Sequence, residues 1–98
     1  MCFISNRVNQ RIECRVTGRV QMVMYRDFIQ RKASGLGLFG FVRNNPDGSV
    51  TVVAEGLREK LEQLIVKLHK GSILSRVDNV KVEWKEATGE FKDFRIEY

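Results

Sequence analysis

Two-residue periodicity along residues 11–17 predicts a strand with one buried face. Ile12, Cys14 and Val16 fall on one side of this segment, and charged or hydroxyl side chains fall on the other. Since the apolar side of such a strand packs against a core, we expect the Cys14 thiol to be buried.

Apolar residues recur at helical spacing in two later segments. The first begins at Tyr25 and runs to Leu36, where Gly35 and Gly37 can end it. The second is the cleanest amphipathic pattern in the chain, and it ends at Gly71. Its apolar positions are Leu57, Leu61, Leu64, Ile65 and Leu68.

Between these two segments the chain predicts a hairpin. Residues 38–44 are extended, and the Asn-Pro-Asp-Gly sequence at 45–48 is a strong turn signal. Residues 49–55 return as the second strand, which Gly56 is expected to end. The positions of that strand that face one way are Val50, Val52 and Ala54.

The last third of the chain predicts two more strands. Residues 72–75 connect the second helix to a strand in which charged residues alternate with apolar ones, and a short strand closes the chain. The apolar positions are Val80, Val82 and Trp84 in the first and Phe94, Ile96 and Tyr98 in the second.

The resulting order is β-α-β-β-α-β with a short terminal strand. Two right-handed β-α-β units in one sheet place both helices on the same face. This predicts an α+β fold, a ferredoxin-like α/β sandwich with an antiparallel sheet. The wet face of the sheet would carry Arg11, Glu13, Arg15, Lys81 and Glu83. Residues 1–9 show no clear pattern, so we expect a disordered N-terminal segment there and one domain over residues 10–98.

Length and composition indicate one small globular domain. The chain has 98 residues, of which 43% are hydrophobic and 30% charged. No apolar run approaches the roughly 20 residues that a membrane span needs, and the N-terminus lacks the apolar core of a signal peptide. Cys2 and Cys14 are too few for a disulfide framework. We therefore expect a cytoplasmic protein that does not enter a membrane.

The net charge of +5 is concentrated in the first part of the chain. Residues 1–43 carry eight lysines and arginines against two acidic residues, whereas residues 44–98 carry nine against ten. This excess would attract an anionic partner to the first strand and helix. By itself it does not separate a small phosphate ester from nucleic acid, or either from a solvated basic surface.

The segment between the first strand and the first helix has the features of a phosphate-binding loop. A loop that leads into a helix N-terminus leaves backbone N–H groups unpaired and directed at one spot, where the helix dipole favours an anion. Arg26 would add a guanidinium with forked donors, and a cation in a first helical turn is itself best explained by an anion beside it. The loop residues are Gly18, Arg19, Val20, Gln21, Met22, Val23, Met24 and Tyr25.

Few other residues are suited to catalysis. His69 is the single histidine, and its place near the end of the second helix indicates a surface residue or a partner of the helix dipole. No metal-ligand spacing or Ser–His relation is recognisable, so a reaction here must depend on positioning and charge. An acyl phosphate suits such a site, because both of its possible leaving groups are weak bases.

A reaction of this kind needs a neutral side chain that holds the attacking water. Asn44, at the end of the 38–44 strand, is the candidate, because its amide offers one oxygen acceptor and two N–H donors. The alternative is that Asn44 only begins the turn at 45–48, which is a frequent use of asparagine.

These residues resemble the acylphosphatase family. The motif Gly-x-Val-Gln-x-Val-x-Tyr-Arg occupies 18–26, and Phe-x-x-Phe-x-Ile-x-Tyr occupies 91–98. Further matches are Ala33, Leu36-Gly37-Leu38, Gly40, Val42-x-Asn44 and Asp47-Gly48-x-Val50. The resemblance covers roughly residues 11–98 and implies a ferredoxin-like sandwich that hydrolyses the carboxyl–phosphate bond without a metal or other cofactor. It also implies that the loop and Arg26 bind the phosphate and that Asn44 orients the nucleophilic water.

The expected partners are a small acyl phosphate and phosphate, with no nucleic acid, and we expect a monomer. One position departs from the family, because Met22 stands where glycine is usual. If that position needs positive φ or close approach to the phosphate, methionine costs about 1–3 kcal/mol of strain. The first alternative function is therefore a phosphate-binding homologue with impaired catalysis.

The second alternative is an RNA-recognition-like module that binds single-stranded nucleic acid. Such modules share the βαββαβ order, and Phe39-Gly40-Phe41-Val42 resembles the centre of their aromatic signature. The match falls on the second strand instead of the third, and the third strand, 49–55, has no aromatic residue. The other large aromatic residues are expected in the core or on a sheet face, namely Trp84, Phe91, Phe94 and Tyr98.

Overall fold

The computed structural model describes residues 9–21 and 24–98, and these form five strands and two helices in the predicted order. The elements are β1 (Asn9–Arg19), α1 (Tyr25–Gly35), β2 (Phe39–Asn44), β3 (Val50–Leu57), α2 (Arg58–Lys70), β4 (Arg76–Glu86) and β5 (Phe94–Glu97). Neither helix has the length and apolar character needed to cross a membrane. Residues 1–8 lie outside the described residues, so the expected disorder of the N-terminal segment stays a prediction.

One sheet contains all five strands, in the order β4-β1-β3-β2-β5. β1 pairs antiparallel with β3 and β4, and β2 pairs antiparallel with β3. β5 runs parallel to β2, so the sheet is mixed and not wholly antiparallel as expected. The reason is that β4 and β5 are the two outermost strands, and the chain reverses its direction over residues 87–93 as it crosses the sheet. Because β4 runs antiparallel to β1 and β2, β5 then runs parallel to β2. The two helices connect β1 to β2 and β3 to β4, which is the ferredoxin-like arrangement.

The core lies between the helices and one face of the sheet. The inward residues of β1 belong to a single buried cluster with residues of both helices, which confirms that the helices cover the same face. The cluster includes Ile12, Cys14, Val16, Ile29, Ala33, Leu61, Leu64 and Leu68. Cys14 is 3% exposed, which confirms the predicted buried thiol, and this burial raises the pKa of the thiol to about 12.

The opposite, open face of the sheet carries the charged residues predicted for it. Glu13 of β1 pairs with Glu83 of β4, and Arg15 pairs with Lys81. Glu13 accepts hydrogen bonds from Arg11 Nε and Lys85 Nζ, each at 2.9 Å. The cations thus offset the like charges of Glu13 and Glu83, and Arg15 forms an ion pair with the carboxylate of Asp47, which suits a surface in contact with water.

A buried carboxylate on this open face holds the segment after β4 against the sheet. Glu55 is 3% exposed, and its carboxylate accepts the backbone N–H of Thr88 at 2.9 Å, that of Gly89 at 3.0 Å and Arg11 Nη1 at 2.9 Å. Burial by itself raises the pKa of Glu55, but these donors outweigh it and lower the pKa below its ordinary value. We call Arg11, Glu55, Thr88 and Gly89 the Glu55 network.

Two strands run further than the sequence indicates. β1 continues through Gly18 to Arg19, past the predicted range of 11–17. The expectation that Gly56 ends β3 is wrong, because β3 continues to Leu57. A Cβ at Gly56 would lie 2.4 Å from Cδ2 of Leu38, so this glycine makes room for a core side chain instead of breaking the strand.

Of the four aromatic residues predicted in the core or on a sheet face, three lie there and one does not. Phe94 is buried, Phe91 packs edge-on against Phe41 on the open face at 5.9 Å between ring centroids, and Trp84 lies beneath the guanidinium of Arg58 at 4.3 Å. Tyr98 differs, because β5 ends at Glu97 and the Tyr98 side chain is almost fully exposed. The placement of Tyr98 in the core or on a sheet face is therefore wrong.

Candidate active site

The topology brings the two predicted catalytic residues to one edge of the sheet, the edge formed by the C-terminal ends of β1 and β2. Since β1 and β2 are both antiparallel to β3, they run in the same direction and end at the same edge. α1 begins at that edge, because it follows β1 directly. Arg26 therefore lies in the first turn of α1 at the edge where Asn44 ends β2. We call this side of the molecule the loop edge.

The connection from β1 to α1 is shorter than the sequence indicates. Gly18 and Arg19 belong to β1, where they pair with Val77 and Arg76 across an irregularity in the register. Gly18 has a φ of 128°, and a Cβ there would lie 2.2 Å from the carbonyl oxygen of Arg76. The close approach of β4 thus accounts for this glycine, and the loop itself comprises residues 20–24.

Buried side chains anchor both ends of the loop. Val20 and Tyr25 are each almost completely buried, and the Tyr25 hydroxyl donates a hydrogen bond to the carbonyl oxygen of Leu68 at 2.8 Å. Their side chains therefore point into the core. A ligand at the loop edge can contact these two residues only through their backbone.

Gln21 ties the loop to the turn that follows β2. Its Nε2 donates to the carbonyl oxygens of Asn45 at 2.9 Å and Ser49 at 2.8 Å. The turn is itself held rigidly, because Asn45 Nδ2 donates to Ser49 Oγ at 2.9 Å and to Thr51 Oγ1 at 2.8 Å. The side chain of Gln21 thus acts as a brace that fixes the loop beside Asn44, and phosphate binding by this residue stays a prediction.

The N-terminus of α1 has no side-chain cap. Its N-cap residue is Met24, which carries no oxygen and adopts φ 62° and ψ 21°, in the left-handed region. Such a conformation costs a non-glycine residue about 1 kcal/mol. The first N–H groups of α1, at Tyr25, Arg26 and Asp27, have no partner within the helix, and a helix N-terminus of this kind favours an anion. Met22 and Val23 lie outside the described residues, and the effect expected of Met22 stays a prediction.

Arg26 faces a cavity of about 390 Å³ at this helix terminus. Its Nη1 lies 3.5 Å from the carbonyl oxygen of Glu97, and its Cζ lies 5.0 Å from the centroid of the Tyr98 ring. In residues 9–21 and 24–98, no carboxylate forms an ion pair with Arg26. These long contacts leave guanidinium donors for a ligand. The cavity is lined by Val20, Met24, Tyr25, Arg26, Asp27, Ile96 and Tyr98.

Asn44 is placed as expected, and its side chain is unusual. It is the last residue of β2 and pairs with Val50 of β3. Its Oδ1 is buried, and no other described residue hydrogen-bonds to it. A buried oxygen without a partner costs about 1–3 kcal/mol, so a native protein keeps one where a water or a ligand pairs with it. The neighbouring Asn45, in contrast, is fully engaged in the turn.

The chemistry available at the loop edge is that of a cation, backbone N–H groups and a neutral amide. Among the described residues, no group of three or more His, Cys, Asp or Glu side chains could hold a metal ion. His69 is exposed in the last turn of α2 and does not line the cavity, in agreement with its prediction as a surface residue.

The open face offers less to a nucleic acid than the sequence suggests. Phe39 is partly exposed there, but Phe41 packs against Phe91 and has the guanidinium of Arg43 5.2 Å from its ring centroid. The segment after β4, held by the Glu55 network, thus occupies part of the surface on which bases would stack. This arrangement disfavours the RNA-recognition alternative.

Two contributions to the site escaped the sequence-based prediction. Tyr98 lines the cavity beside Arg26 because it projects past the end of β5, and no periodic pattern indicates such an overhang. The bracing role of Gln21 depends on a contact with a turn 24 residues later. A polar amide between the buried anchors Val20 and Tyr25 is the one signal that hints at it.

Comparisons with a family model, with curated proteins and with solved structures all match this chain to acylphosphatases. A family model described as Acylphosphatase matches residues 12–96. An acylphosphatase of Koribacter versatilis is 54% identical over 82 residues, which are 84% of this chain and 74% of that protein. One from Salinibacter ruber is 45% identical over 87 residues, 89% of this chain and 92% of that protein. The crystal structure of acylphosphatase from Bacillus subtilis matches with a TM-score of 0.88 at 32% identity, covering 91% of this chain and 99% of that one.

Proposed function

The chain belongs to the acylphosphatase family, and we propose that it hydrolyses the carboxyl–phosphate bond of small acyl phosphates without a metal ion. In this reaction a water attacks phosphorus, the bond from phosphorus to the carboxyl oxygen breaks, and the products are a carboxylate and inorganic phosphate. The loop edge supplies what such a reaction needs, since the leaving carboxylate is a weak base and requires no strong general acid.

The observation that carries this proposal is the unpaired oxygen of Asn44. Oδ1 is buried at the end of β2 without a partner among the described residues, at the same edge as Arg26. A water that donates a hydrogen bond to this oxygen would be held beside the phosphorus with a lone pair free to attack. An amide is neutral, so it can hold the water without repelling the phosphoryl oxygens as a carboxylate would.

Arg26 and the N–H groups at the start of α1 would bind the phosphoryl group. The guanidinium has only long contacts with the Glu97 carbonyl and the Tyr98 ring, so its forked donors can pair with two phosphoryl oxygens. The uncapped helix N-terminus adds backbone donors and a partial positive charge. Val20 and Tyr25 take part through their backbone alone. Gly18 and Arg19 position the loop through their pairing with β4, and Gln21 does so through its hydrogen bonds to the turn after β2.

The proton balance needs no side-chain base. The attacking water loses one proton as the new P–O bond forms, and an oxygen of the bound phosphoryl group accepts it. An acyl phosphate dianion and water thus give a carboxylate and a dihydrogen phosphate ion. The chain contributes position and charge to this step, which typically supply most of the acceleration in phosphoryl transfer. We propose that the enzyme acts as a monomer.

The test is turnover of benzoyl phosphate by the purified protein in the presence of a metal chelator. We expect hydrolysis well above the uncatalysed rate, unchanged by the chelator. Arg26→Ala should abolish it, because the variant loses the only cation that lines the cavity among the described residues. Arg58→Ala removes the same charge at the start of α2, at the opposite edge of the sheet, and should keep full activity. Wild-type protein without activity at high concentration would overturn the proposal.

A further inference from the structure

The connection between α2 and β4 carries two aliphatic side chains that the core does not use. Ile73 and Leu74 are 97% and 66% exposed, so neither stabilises the packing of the fold. Met24, which is 67% exposed, lines a cavity of about 280 Å³ together with both of them. Exposed apolar side chains that lie together in this way mark a surface that contacts a partner. We call Met24, Ile73 and Leu74 the apolar tip.

Cations surround the apolar tip. Lys67 and Lys70 belong to the last turn of α2, which directly precedes the connection. Arg31 lines the same cavity as the tip, and Arg19 pairs with Arg76 at the start of β4, where the connection ends. Of these five cations, only Arg76 forms an ion pair within residues 9–21 and 24–98. The surface around the tip therefore has positive charge that the fold leaves without a counterion.

The carboxylates closest to the tip along the chain do not balance this charge. Asp78 is engaged by Arg76 at 3.2 Å, and Asp27 lies in the first turn of α1, where it faces the cavity of Arg26. Arg19, Arg31 and the two lysines at the end of α2 thus keep their full charge. An anionic surface would complement this face of the molecule.

An anionic bilayer matches both the cations and the apolar side chains between them. Its headgroups attract lysines and arginines, and the boundary with the acyl chains, about 5–10 Å deeper, accepts apolar side chains. A single-stranded nucleic acid would pair with the cations but stacks on aromatic rings, and the tip has none. An acidic protein would need a recess shaped for Ile73, whereas the acyl region accepts a projecting side chain of any shape.

We propose that the apolar tip and its surrounding cations bind the surface of an anionic bilayer, with Ile73 and Leu74 inserted at the boundary between headgroups and acyl chains. The contact is peripheral, because neither helix has the length and apolar character to cross a membrane. Met24 lines both the cavity of the tip and the cavity of Arg26, so binding brings the candidate active site beside the bilayer. This inference goes beyond the proposed function, and its test does not require turnover.

The test is sedimentation of the purified protein with phosphatidylcholine vesicles, either pure or containing about 30% phosphatidylglycerol. We expect the partition coefficient of wild-type protein to be at least about 10-fold larger on the anionic vesicles, and to fall as salt is added. No partitioning onto the anionic vesicles, or equal partitioning onto both, would overturn the inference.

Two double variants examine the apolar part of the surface. Ile73→Ser/Leu74→Ser removes both aliphatic side chains without touching the core, and we expect it to bind the anionic vesicles about 10-fold more weakly. Ile73→Leu/Leu74→Ile is the matched control, since it keeps the apolar area and should bind as wild type does. Unchanged binding of the serine variant would overturn the insertion of these side chains.

Two further double variants examine the charge. Lys67→Gln/Lys70→Gln should bind the anionic vesicles about 10-fold more weakly. Lys60→Gln/Lys81→Gln removes the same charge from the first turn of α2 and from the open face, and should stay within about threefold of wild type. Equal losses in both would reduce the effect to net charge and overturn a defined binding surface.

Two controls separate this inference from the other readings of the same surface. Each of the four variants should hydrolyse benzoyl phosphate in solution at the wild-type rate, so that a loss of vesicle binding does not reflect a loss of the fold. Binding to an oligonucleotide or to polyglutamate, without binding to the anionic vesicles, would assign the surface to that class of partner and overturn the inference. Vesicle binding by a protein without hydrolytic activity would support the inference and overturn only the proposed function.

Discussion

Two polar side chains at different places in the sheet have opposite surroundings. Glu55, on the open face, is 3% exposed and accepts hydrogen bonds from Thr88, Gly89 and Arg11. Asn44, at the loop edge, has a buried Oδ1 without any partner among the described residues. Both groups are removed from water, yet only one of them is paired within the fold.

The difference separates groups that stabilise the fold from groups kept for a ligand. A paired buried charge anchors structure, and its loss costs stability. An unpaired buried oxygen contributes nothing to stability, so its place in the fold is explained by a partner that arrives with the substrate. The same holds for the start of α1, which has a left-handed methionine in place of a capping side chain. On this view, changes at the loop edge should affect catalysis and changes in the Glu55 network should affect stability.

The sharpest way to break the comparison is Asn44→Ala. We expect kcat to fall about 10³-fold, because the water loses its orienting group. The free energy of unfolding should stay the same or rise, since an unpaired buried oxygen is removed. Steady-state kinetics and chemical denaturation of the same preparation check both statements.

Asn45→Ala is the control, because this neighbouring asparagine donates hydrogen bonds to Ser49 and Thr51. It should lose about 1–2 kcal/mol of stability and less than 10-fold in kcat. A destabilised Asn44→Ala with near-normal kcat would assign Asn44 to the turn instead of the reaction.

Arg26→Lys tests whether the geometry of the cation matters. Lysine keeps the charge but cannot pair with two phosphoryl oxygens through a planar fork, so kcat/KM should fall about 10²-fold at unchanged stability. Arg58→Lys, at the opposite edge, should leave kcat/KM unchanged. Full activity of Arg26→Lys in the benzoyl phosphate assay would reduce Arg26 to a general electrostatic contribution.

Glu55→Gln addresses the paired side of the comparison. The variant should lose about 2–3 kcal/mol in the free energy of unfolding, because the donors of Arg11, Thr88 and Gly89 lose their charged acceptor. Its kcat/KM for benzoyl phosphate should remain within twofold of wild type. A large loss of activity at intact stability would contradict the separation of the two regions.

The same variant has a defined pH dependence. The pKa of Glu55 is lowered in the folded protein, so its carboxylate stabilises the fold above the ordinary glutamate pKa of about 4.3. That stabilisation is lost as the pH falls through the lowered pKa of the folded state. The difference in stability between wild type and Glu55→Gln should therefore be constant near neutral pH and shrink in acid, as measured by urea unfolding at a series of pH values.

Gln21→Met should have the smallest effect. Methionine matches the length of glutamine but cannot donate to the carbonyl oxygens of Asn45 and Ser49. The loop would then be held less firmly beside Asn44, and we expect a 5- to 10-fold loss in kcat with about 1 kcal/mol of stability. Gln63→Met, on the exposed face of α2, is the control and should change neither. Unchanged kcat in Gln21→Met would show that the loop keeps its position without this brace.

The sequence predicted the order of elements and the buried face of β1, and it singled out Arg26 and Asn44, which the fold brings to one edge. These follow from local periodicity and from the handedness of β-α-β units. The extent of the loop was wrong, because pairing of Gly18 and Arg19 with β4 is a long-range contact that no local pattern encodes. For the same reason the roles of Gly56, Gln21 and Tyr98 became evident only in the folded chain.

The most direct test of the central claim is a titration of wild-type protein with inorganic phosphate, followed by NMR. The unpaired groups should respond, so we expect the largest shifts at the backbone amides of residues 20–26 and at the Asn44 side-chain amide. These shifts should disappear in Arg26→Ala. Largest shifts at Arg11, Arg15 or Lys85 of the open face, or an undiminished response in Arg26→Ala, would contradict the account.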